Sequence, residues 1–508
     1  MNYYFLGIGG IGMSAIARYF AGKGCATAGY DRLRSELCAE LESENIDIHY
    51  IDDIELIDKK FLNPEETLVI YTPAIPNEHA EYQYFRQNNF KILKRAEILG
   101  QITKTERGLC IAGTHGKTTI STMTAHLFKQ SSIDCSAFLG GISLNYNNNL
   151  LLSNRSDLVV IEADEYDRSF HQLTPCMAVI SATDADHLDI YHTHNEYISA
   201  FEKFTSLIVE GGALIYKKGT KLEPKVQKNV KVYDYSATEK ADFYAENIFY
   251  EYGHLLFDFV TPKGKIECID LGVPMLINVE NAVAAMALAW LNGMSAEEIS
   301  HGIASYRGVK RRFEKHLSEP KIFIDDYAHH PQELEQSIKS VKKLYPDKKV
   351  LGVFQPHLYS RTQDFYCEFA SALSNLDEIV LVEIYPAREK PIEGVTSQLI
   401  YNQIDNPHKT LTSKTKLLDV LAEKDFDVLL TLGAGDIDAY IPKIKDLLTR
   451  EGTKAQKSKR QGINKICTFV HSYNNKQNKK FTKNNINFGA FWRFWYNFCS
   501  KQQRKQRY

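Results

Sequence analysis

The chain has no apolar run long enough to cross a bilayer. Its longest strongly apolar stretch, Ala282–Leu291, is about half of the roughly 20 residues that a spanning helix needs. Nor does the N-terminus read as a signal peptide, because no basic segment leads it and a glycine loop interrupts its apolar residues. The nine cysteines show no CxxC spacing, which excludes the usual zinc-ribbon pattern and argues against a disulfide framework. Reduced thiols in a cytoplasmic protein are expected. Internal repeats are absent too. Acidic residues are missing from the end of the chain: Thr453–Tyr508 holds 14 Lys or Arg and no Asp or Glu. The formal charge of −2 therefore conceals a body with 47 basic against 63 acidic residues, a charge of −16. Body and tail are two different materials.

What is present reads as α/β. A chain of 508 residues exceeds one core, so several domains are expected. Tyr3–Leu6 is a short apolar strand, Gly7–Gly12 a turn, Met13–Ala21 a helix and Ala26–Tyr30 a second strand ending at Asp31. Strand, glycine turn, helix and strand in that order announce a parallel sheet. A second block opens with strand Leu109–Ala112, the loop Gly113-Thr114-His115-Gly116-Lys117-Thr118-Thr119 and a helix to about Phe128. Leu158–Ile161 and Ala178–Ser181 are later strands that run into polar residues. A third block has strands Ile322–Ile324, Val350–Phe354 and Val428–Leu432, each leading into polar or glycine-rich sequence. Sites in open α/β sheets form at such strand ends.

The loop Gly113–Thr119 is the most specific chemical signal. Backbone N–H groups between a strand and a helix cup a phosphate. Lys117 supplies a point charge, and Thr118 offers a hydroxyl to Mg²⁺. Only two residues separate the glycines, fewer than in the general P-loop. Gly7, Gly9 and Gly12 match GxGxxG, with Gly10 between them and Asp31 further on. NAD(P), another pyrophosphate such as that of a UDP-sugar, and a structural turn all fit this loop. Glu162, Asp164, Glu165 and Asp167 crowd one strand end, and Asp184, Asp186, His187 and Asp189 another. Such oxygen-rich clusters beside a phosphate loop suit Mg²⁺ better than zinc. Asp325, Asp326, His329 and Arg361 form a further cluster, and Arg311 and Arg312 are placed to reach phosphate or to form a basic linker. The tail carries Phe491-Trp492-Arg493-Phe494-Trp495-Tyr496. Single-stranded nucleic acid, an anionic membrane surface and a plain disordered extension are its three readings, and the last is preferred.

Taken in order, these motifs resemble the Mur ligase family. The resemblance rests on GIGGIGMS (Gly7–Ser14), Thr72-Pro73-Ala74-Ile75, Arg95-Ala96-Glu97, GTHGKTT (Gly113–Thr119), EADEYD (Glu162–Asp167), Asp186-His187-Leu188-Asp189, NVENA (Asn278–Ala282), Arg311-Arg312-Phe313, DYAHHP (Asp326–Pro331), FQPH (Phe354–His357) and Gly433–Gly435. It covers roughly residues 1–450. It implies a Rossmann-like UDP-sugar domain (1–105), a P-loop ATPase domain (106–315) and a Rossmann-like amino-acid domain (316–452), followed by a basic, disordered extension (453–508).

The implied activity is ATP-dependent amide formation between UDP-N-acetylmuramate and L-alanine through an acyl phosphate. A sister ligase that attaches a recycled peptide, and an NAD(P) oxidoreductase, are the alternatives. The resemblance places Gly7, Gly9, Gly10, Gly12, Asp31 and Thr72 at the UDP substrate. It places Gly113–Thr119, Asn278, Asn281 and Arg312 at ATP. Thr118 and Glu162 would hold one Mg²⁺ and His187 a second, while Lys117, His187, His329 and Arg361 would serve the reaction. No nucleic-acid partner and no membrane span are expected. Two departures stand out. Met275, Leu276 and Ile277 follow Pro274 where relatives often have a histidine, and Leu358 stands where some have an arginine.

Overall fold

The computed structural model of the protein describes residues 1–184, 188–251, 253–387 and 389–450. Residues 1–441 form one compact unit built on three β-sheets. A second unit begins at Pro442, and its described residues, 442–450, are helical. The extension 453–508, expected to be disordered, lies outside the described residues.

The first sheet has the order Asp47–His49, Thr27–Tyr30, Asn2–Leu6, Thr67–Tyr71, Lys91–Lys94, all parallel. Phe5, Leu6, Val69 and Ile70 are fully buried in it. The order reverses between Asn2–Leu6 and Thr67–Tyr71. A crevice opens there beyond the strand ends, and such crevices hold ligands in open α/β sheets.

The central sheet is larger. Its parallel middle runs Pro175–Ile180, Arg107–Ala112, Leu158–Glu162, Ser136–Ser143. An antiparallel meander, Phe243–Glu251, His254–Thr261 and Gly264–Asp270, extends the other side. The phosphate-loop helix Lys117–Lys129 lies against helix Leu276–Leu291, whose residues from Ala282 to Ala289 are all fully buried. The longest apolar run is therefore a core helix, apolar all round because protein surrounds it.

The third sheet has the order Glu314–Leu317, Ile322–Asp326, Val428–Leu432, Val350–Phe354, Glu378–Leu381, Lys409–Leu411. The first of these strands is antiparallel and the rest are parallel. The strand expected to stop at Ile324 continues through Asp326, because Asp325 and Asp326 pair with Thr431 and Leu432. Buried carboxylates inside a strand need partners. Asp325 has them in Arg311 at 3.3 Å and the Thr431 hydroxyl at 2.5 Å.

Candidate active site

The loop Gly113–Thr119 sits between the fully buried end of Arg107–Ala112 and the helix Lys117–Lys129. Gly116 has φ +82°, a left-handed conformation, and a Cβ there would come within 2.7 Å of Asn281 Oδ1. Glycine is required on both counts. The loop thus presses against the helix that carries Asn278 and Asn281. Both asparagines are buried, and Asn281 Nδ2 donates to Asn278 Oδ1 at 3.1 Å.

Lys117 is folded back on its own loop. Its Nζ donates to Gly113 O and to Glu165 Oε1, both at 2.7 Å. Burial works against the ammonium charge, but Glu165, then Glu162 and Asp164, outweigh it, so Lys117 titrates above the usual lysine range. Beside it the Thr118 hydroxyl donates to Glu162 Oε1 at 3.1 Å. The other oxygen, Glu162 Oε2, is buried and has no hydrogen-bond partner. Burial raises the Glu162 pKa against the pull of Lys117, Thr118 and Arg312. An orphaned carboxylate oxygen next to a threonine hydroxyl is the donor set a hard cation takes. His187, the expected ligand of a second ion, lies outside the described residues.

At the first sheet, Gly7 has φ +85° and Gly9 N–H donates to Asp31 Oδ2 at 2.8 Å. Asp31 therefore fixes the loop from beneath. A Cβ on Gly7 would strike Thr72, and one on Gly12 would strike Arg95. Gly10 immediately precedes the helix Ile11–Gly22, whose free N–H groups face the crevice end. A cavity of about 130 Å³ joins this helix start to the metal-ready carboxylate, for Ile11, Gly12, Arg95, Gly140 and Glu162 share its walls. Arg95 also pairs with Asp164 at 3.0 Å.

Arg311 and Arg312 part company. Arg311 is a staple: it bonds Asp325, Asp438 and the carbonyls of Gly433 and Gly435. Arg312 lies over the Tyr327 ring at 5.1 Å and faces a cavity of about 450 Å³. His115, Gly116, Thr119, Asn278 and Asn281 form one wall of that cavity, and Asp326 and Glu333 another. Met275 and Ile277, at the place of the missing histidine, line it with apolar surface.

His329 follows strand Ile322–Asp326, and Arg361, in the first turn of the helix after Val350–Phe354, lies across the intervening strand Val428–Leu432; the two flank His357. The His329 and His357 rings meet edge-on at 5.9 Å, and Arg361 Nη1 is 3.5 Å from His357 Nδ1. Burial, then His329 and Arg361, lowers the His357 pKa to about 4, so this ring is neutral. Leu358 has φ +72° and ψ 140° at the start of helix Tyr359–Leu373, a conformation almost confined to glycine. Its N–H is held by Tyr385 O at 2.9 Å.

Known protein families and relatives match the chain along most of its length. Residues 2–107 match the Mur ligase family catalytic domain, 111–289 the Mur ligase middle domain and 311–435 the Mur ligase glutamate ligase domain. The chain is 56% identical over 449 residues to the UDP-N-acetylmuramate–L-alanine ligase of Parabacteroides distasonis, across 88% of this chain and 97% of that protein. The chain belongs to the Mur ligase family. This Mur ligase is also 57% identical to the enzyme of the same name from Phocaeicola vulgatus, across 88% of this chain and 98% of the relative. Its fold matches the UDP-N-acetylmuramate–alanine ligase of Thermotoga maritima with a TM-score of 0.74 at 26% identity, covering 89% of this chain and 100% of that one. A murein peptide ligase from Psychrobacter arcticus shares the fold at 21% identity and a TM-score of 0.62, across 88% of this chain and 98% of that one.

Sequence reasoning about this Mur ligase missed several site residues. Glu165 was visible as one acid among four, but not as the partner of Lys117. Lys217, paired with Glu280 at 2.8 Å on the cavity wall, gave no signal. Glu333 did give one: it stands three residues after His330 with Pro331 between, the pattern of a helix cap.

Proposed function

We propose that this Mur ligase joins L-alanine to UDP-N-acetylmuramate, with ATP as the driving reagent, in peptidoglycan precursor synthesis. Its relatives at more than half identity bear that activity in their names. One observation carries the reading. The small cavity between the Gly7–Gly12 loop and Glu162 puts the first sheet's ligand crevice next to the phosphate loop. A UDP-sugar held by the first loop can thus present a carboxylate where the γ-phosphate of ATP would lie.

The residues divide the work as follows. The start of helix Ile11–Gly22, with Gly7, Gly9, Gly10 and Gly12, receives the pyrophosphate of the UDP-sugar, and Asp31 and Thr72 shape the loop around it. Gly113–Thr119 cups the ATP phosphates. Asn278 and Asn281 face the nucleoside, and Arg312 reaches phosphate from the third sheet. Thr118 and Glu162 hold Mg²⁺, with His187 assigned to a second ion. The ion supplies charge neutralisation on the transferred phosphoryl group. Lys117 exchanges Glu165 for the β- and γ-phosphates, with its charge already secured. The substrate carboxylate attacks the γ-phosphorus, and ADP leaves. The amine of L-alanine then attacks the acyl phosphate near His329 and Arg361, and phosphate departs. Alignment and charge do this work, as phosphoryl transfer requires. We place the reaction in the cytoplasm, in keeping with free cysteines throughout the described residues.

The test is phosphate release from ATP with UDP-N-acetylmuramate alone, L-alanine alone, and both. Release that needs both supports the reading. ¹⁸O in the substrate carboxylate must reach the released phosphate, and turnover without that transfer would exclude the acyl phosphate. A preference for the murein tripeptide over L-alanine would reassign the chain to the peptide-recycling reaction.

A further inference from the structure

Beside the third sheet, the His329 imidazole placed near the acyl phosphate is paired with a carboxylate, Glu333. His329 Nδ1 is 3.0 Å from Tyr327 O and 3.3 Å from Glu333 Oε2. A carbonyl oxygen can only accept, so Nδ1 is the protonated nitrogen and Nε2 bears the lone pair. Glu333 Oε2 also accepts the backbone N–H of His329 at 3.0 Å and of His330 at 3.3 Å. Those bonds lock the carboxylate beside the ring. Glu333 faces the nucleotide cavity, and its imidazole partner faces His357 and Arg361.

We infer that His329 Nε2 is the proton acceptor for the incoming amine, and that Glu333 is its positioning residue, fixing the tautomer and stabilising the imidazolium. The inference rests on the ligase reading proposed above. L-Alanine arrives as an ammonium ion and cannot attack until it loses a proton. That proton moves to His329 Nε2. The nitrogen lone pair then forms the C–N bond to the acyl carbon. The bond between that carbon and the phosphate oxygen breaks, phosphate leaves with its electron pair, and the amide nitrogen gives up its surplus proton to phosphate or water.

The charges around the pair suit the task. Burial depresses the His329 pKa first. Glu333 then raises it, Arg361 and Arg312 lower it, and the Tyr327 carbonyl raises it. His357 faces it as a neutral ring. Glu333 itself is pulled below the usual glutamate range by His329, Arg312, the His329 N–H and His115, against burial, so it is ionised at neutral pH. A base that is neutral at working pH but gains its charge next to a fixed carboxylate is poised to take a proton and return it. Arg361 nearby favours the free amine over the ammonium ion, which eases the transfer.

Glu333 also caps helix Pro331–Leu344, so the substitution must keep the cap. Glu333→Gln keeps an acceptor oxygen and removes the charge. The first readout needs no turnover: ¹³C-histidine NMR of the full chain, with the His329 signal identified by its loss in His329→Asn. Glu333→Gln should lower the His329 titration midpoint by about one to three units, the range for losing one adjacent charge. In turnover, the acid limb of kcat/KM for L-alanine should move down by the same interval, and plateau kcat should fall tenfold or more, with KM for ATP little changed. Glu333→Asp should restore part of both. An unchanged midpoint in Glu333→Gln would overturn the inference whatever the substrate proves to be. A shifted midpoint in a protein that ignores L-alanine would overturn the ligase reading and leave the pair intact.

Discussion

At the scale of single residues, the site is organised by charges already paired before any substrate arrives. Lys117 rests on Glu165. Replacing Lys117 with Ala removes the one flexible cation of the phosphate loop, and amino-acid-dependent ADP formation should fall by about a hundredfold or more. A folded variant that retained most of its activity would contradict the loop's assignment. Glu162→Gln should raise the Mg²⁺ concentration for half-maximal activity about tenfold or more, read from a metal titration. Arg361→Ala should raise KM for the amino acid far more than KM for ATP, because its contacts lie on the His357 side of the third sheet. The residue-level site was legible wherever chemistry and local spacing coincide, as in Gly113–Thr119. It was not legible where partners are distant in sequence. Lys117 meets Glu165 across 48 positions, and Arg311 reaches Gly435 across 124. Two adjacent arginines with opposite employment, one a staple and one facing a cavity, look identical in a string of letters.

Among the elements, parallel strands announced themselves by continuous apolar runs, and Val350–Phe354 and Val428–Leu432 were bounded correctly from sequence alone. Buried on both faces, they have no polar side to confuse the signal. The meander from Phe243 to Asp270 was not read. In its strand Phe243–Glu251 only Phe243 and Ala245 are buried, and from Asn247 onward exposed residues alternate with half-buried ones, so the strand offers no continuous apolar run to notice. One helix start that the sequence reading did not single out is closed by a reciprocal cap. Ser295 and Glu298 bracket the start of helix Ala296–Ser305: Glu298 N–H donates to Ser295 Oγ at 3.3 Å, and Ser295 N–H to Glu298 Oε2 at 3.0 Å. Ser295→Ala should lower unfolding stability by about 1 kcal/mol, measured by urea denaturation. Hydrogen bonds from the Ser132 and Ser295 N–H groups pull the Glu298 pKa down to about 2. A carboxyl depressed in the folded state stabilises above its unfolded pKa and loses that effect as pH falls through the folded value. The deficit of Glu298→Ala should therefore be full at pH 7 and vanish between about pH 4.5 and pH 2.

For the whole molecule, the family match ends before the basic extension, for the three matched regions stop at residue 435. Deleting 454–508 should leave kcat and KM for ligation within about twofold. A folded truncation that lost most of its turnover, or lost tight salt-sensitive RNA binding, would give that extension a function.

The cavity of about 450 Å³ lies between the helix that carries Asn278 and Asn281, on the central sheet's side, and Arg312, Asp326 and Glu333, on the third sheet's side. A nucleotide that fills it acts as a caliper, setting the gap between phosphate loop and third sheet to its own width. The third sheet is also where L-alanine is expected to settle. Each ligand therefore does part of the other's arranging, and thermodynamic reciprocity makes the help equal in both directions. Calorimetry with a non-hydrolysable ATP analogue should find L-alanine bound about five to a hundredfold more tightly in its presence. A factor of one would mean that the two walls keep their spacing without help. Any larger factor means that each ligand is held more firmly once the other is in place, whichever of them binds first, so that the complete set outcompetes every partial one.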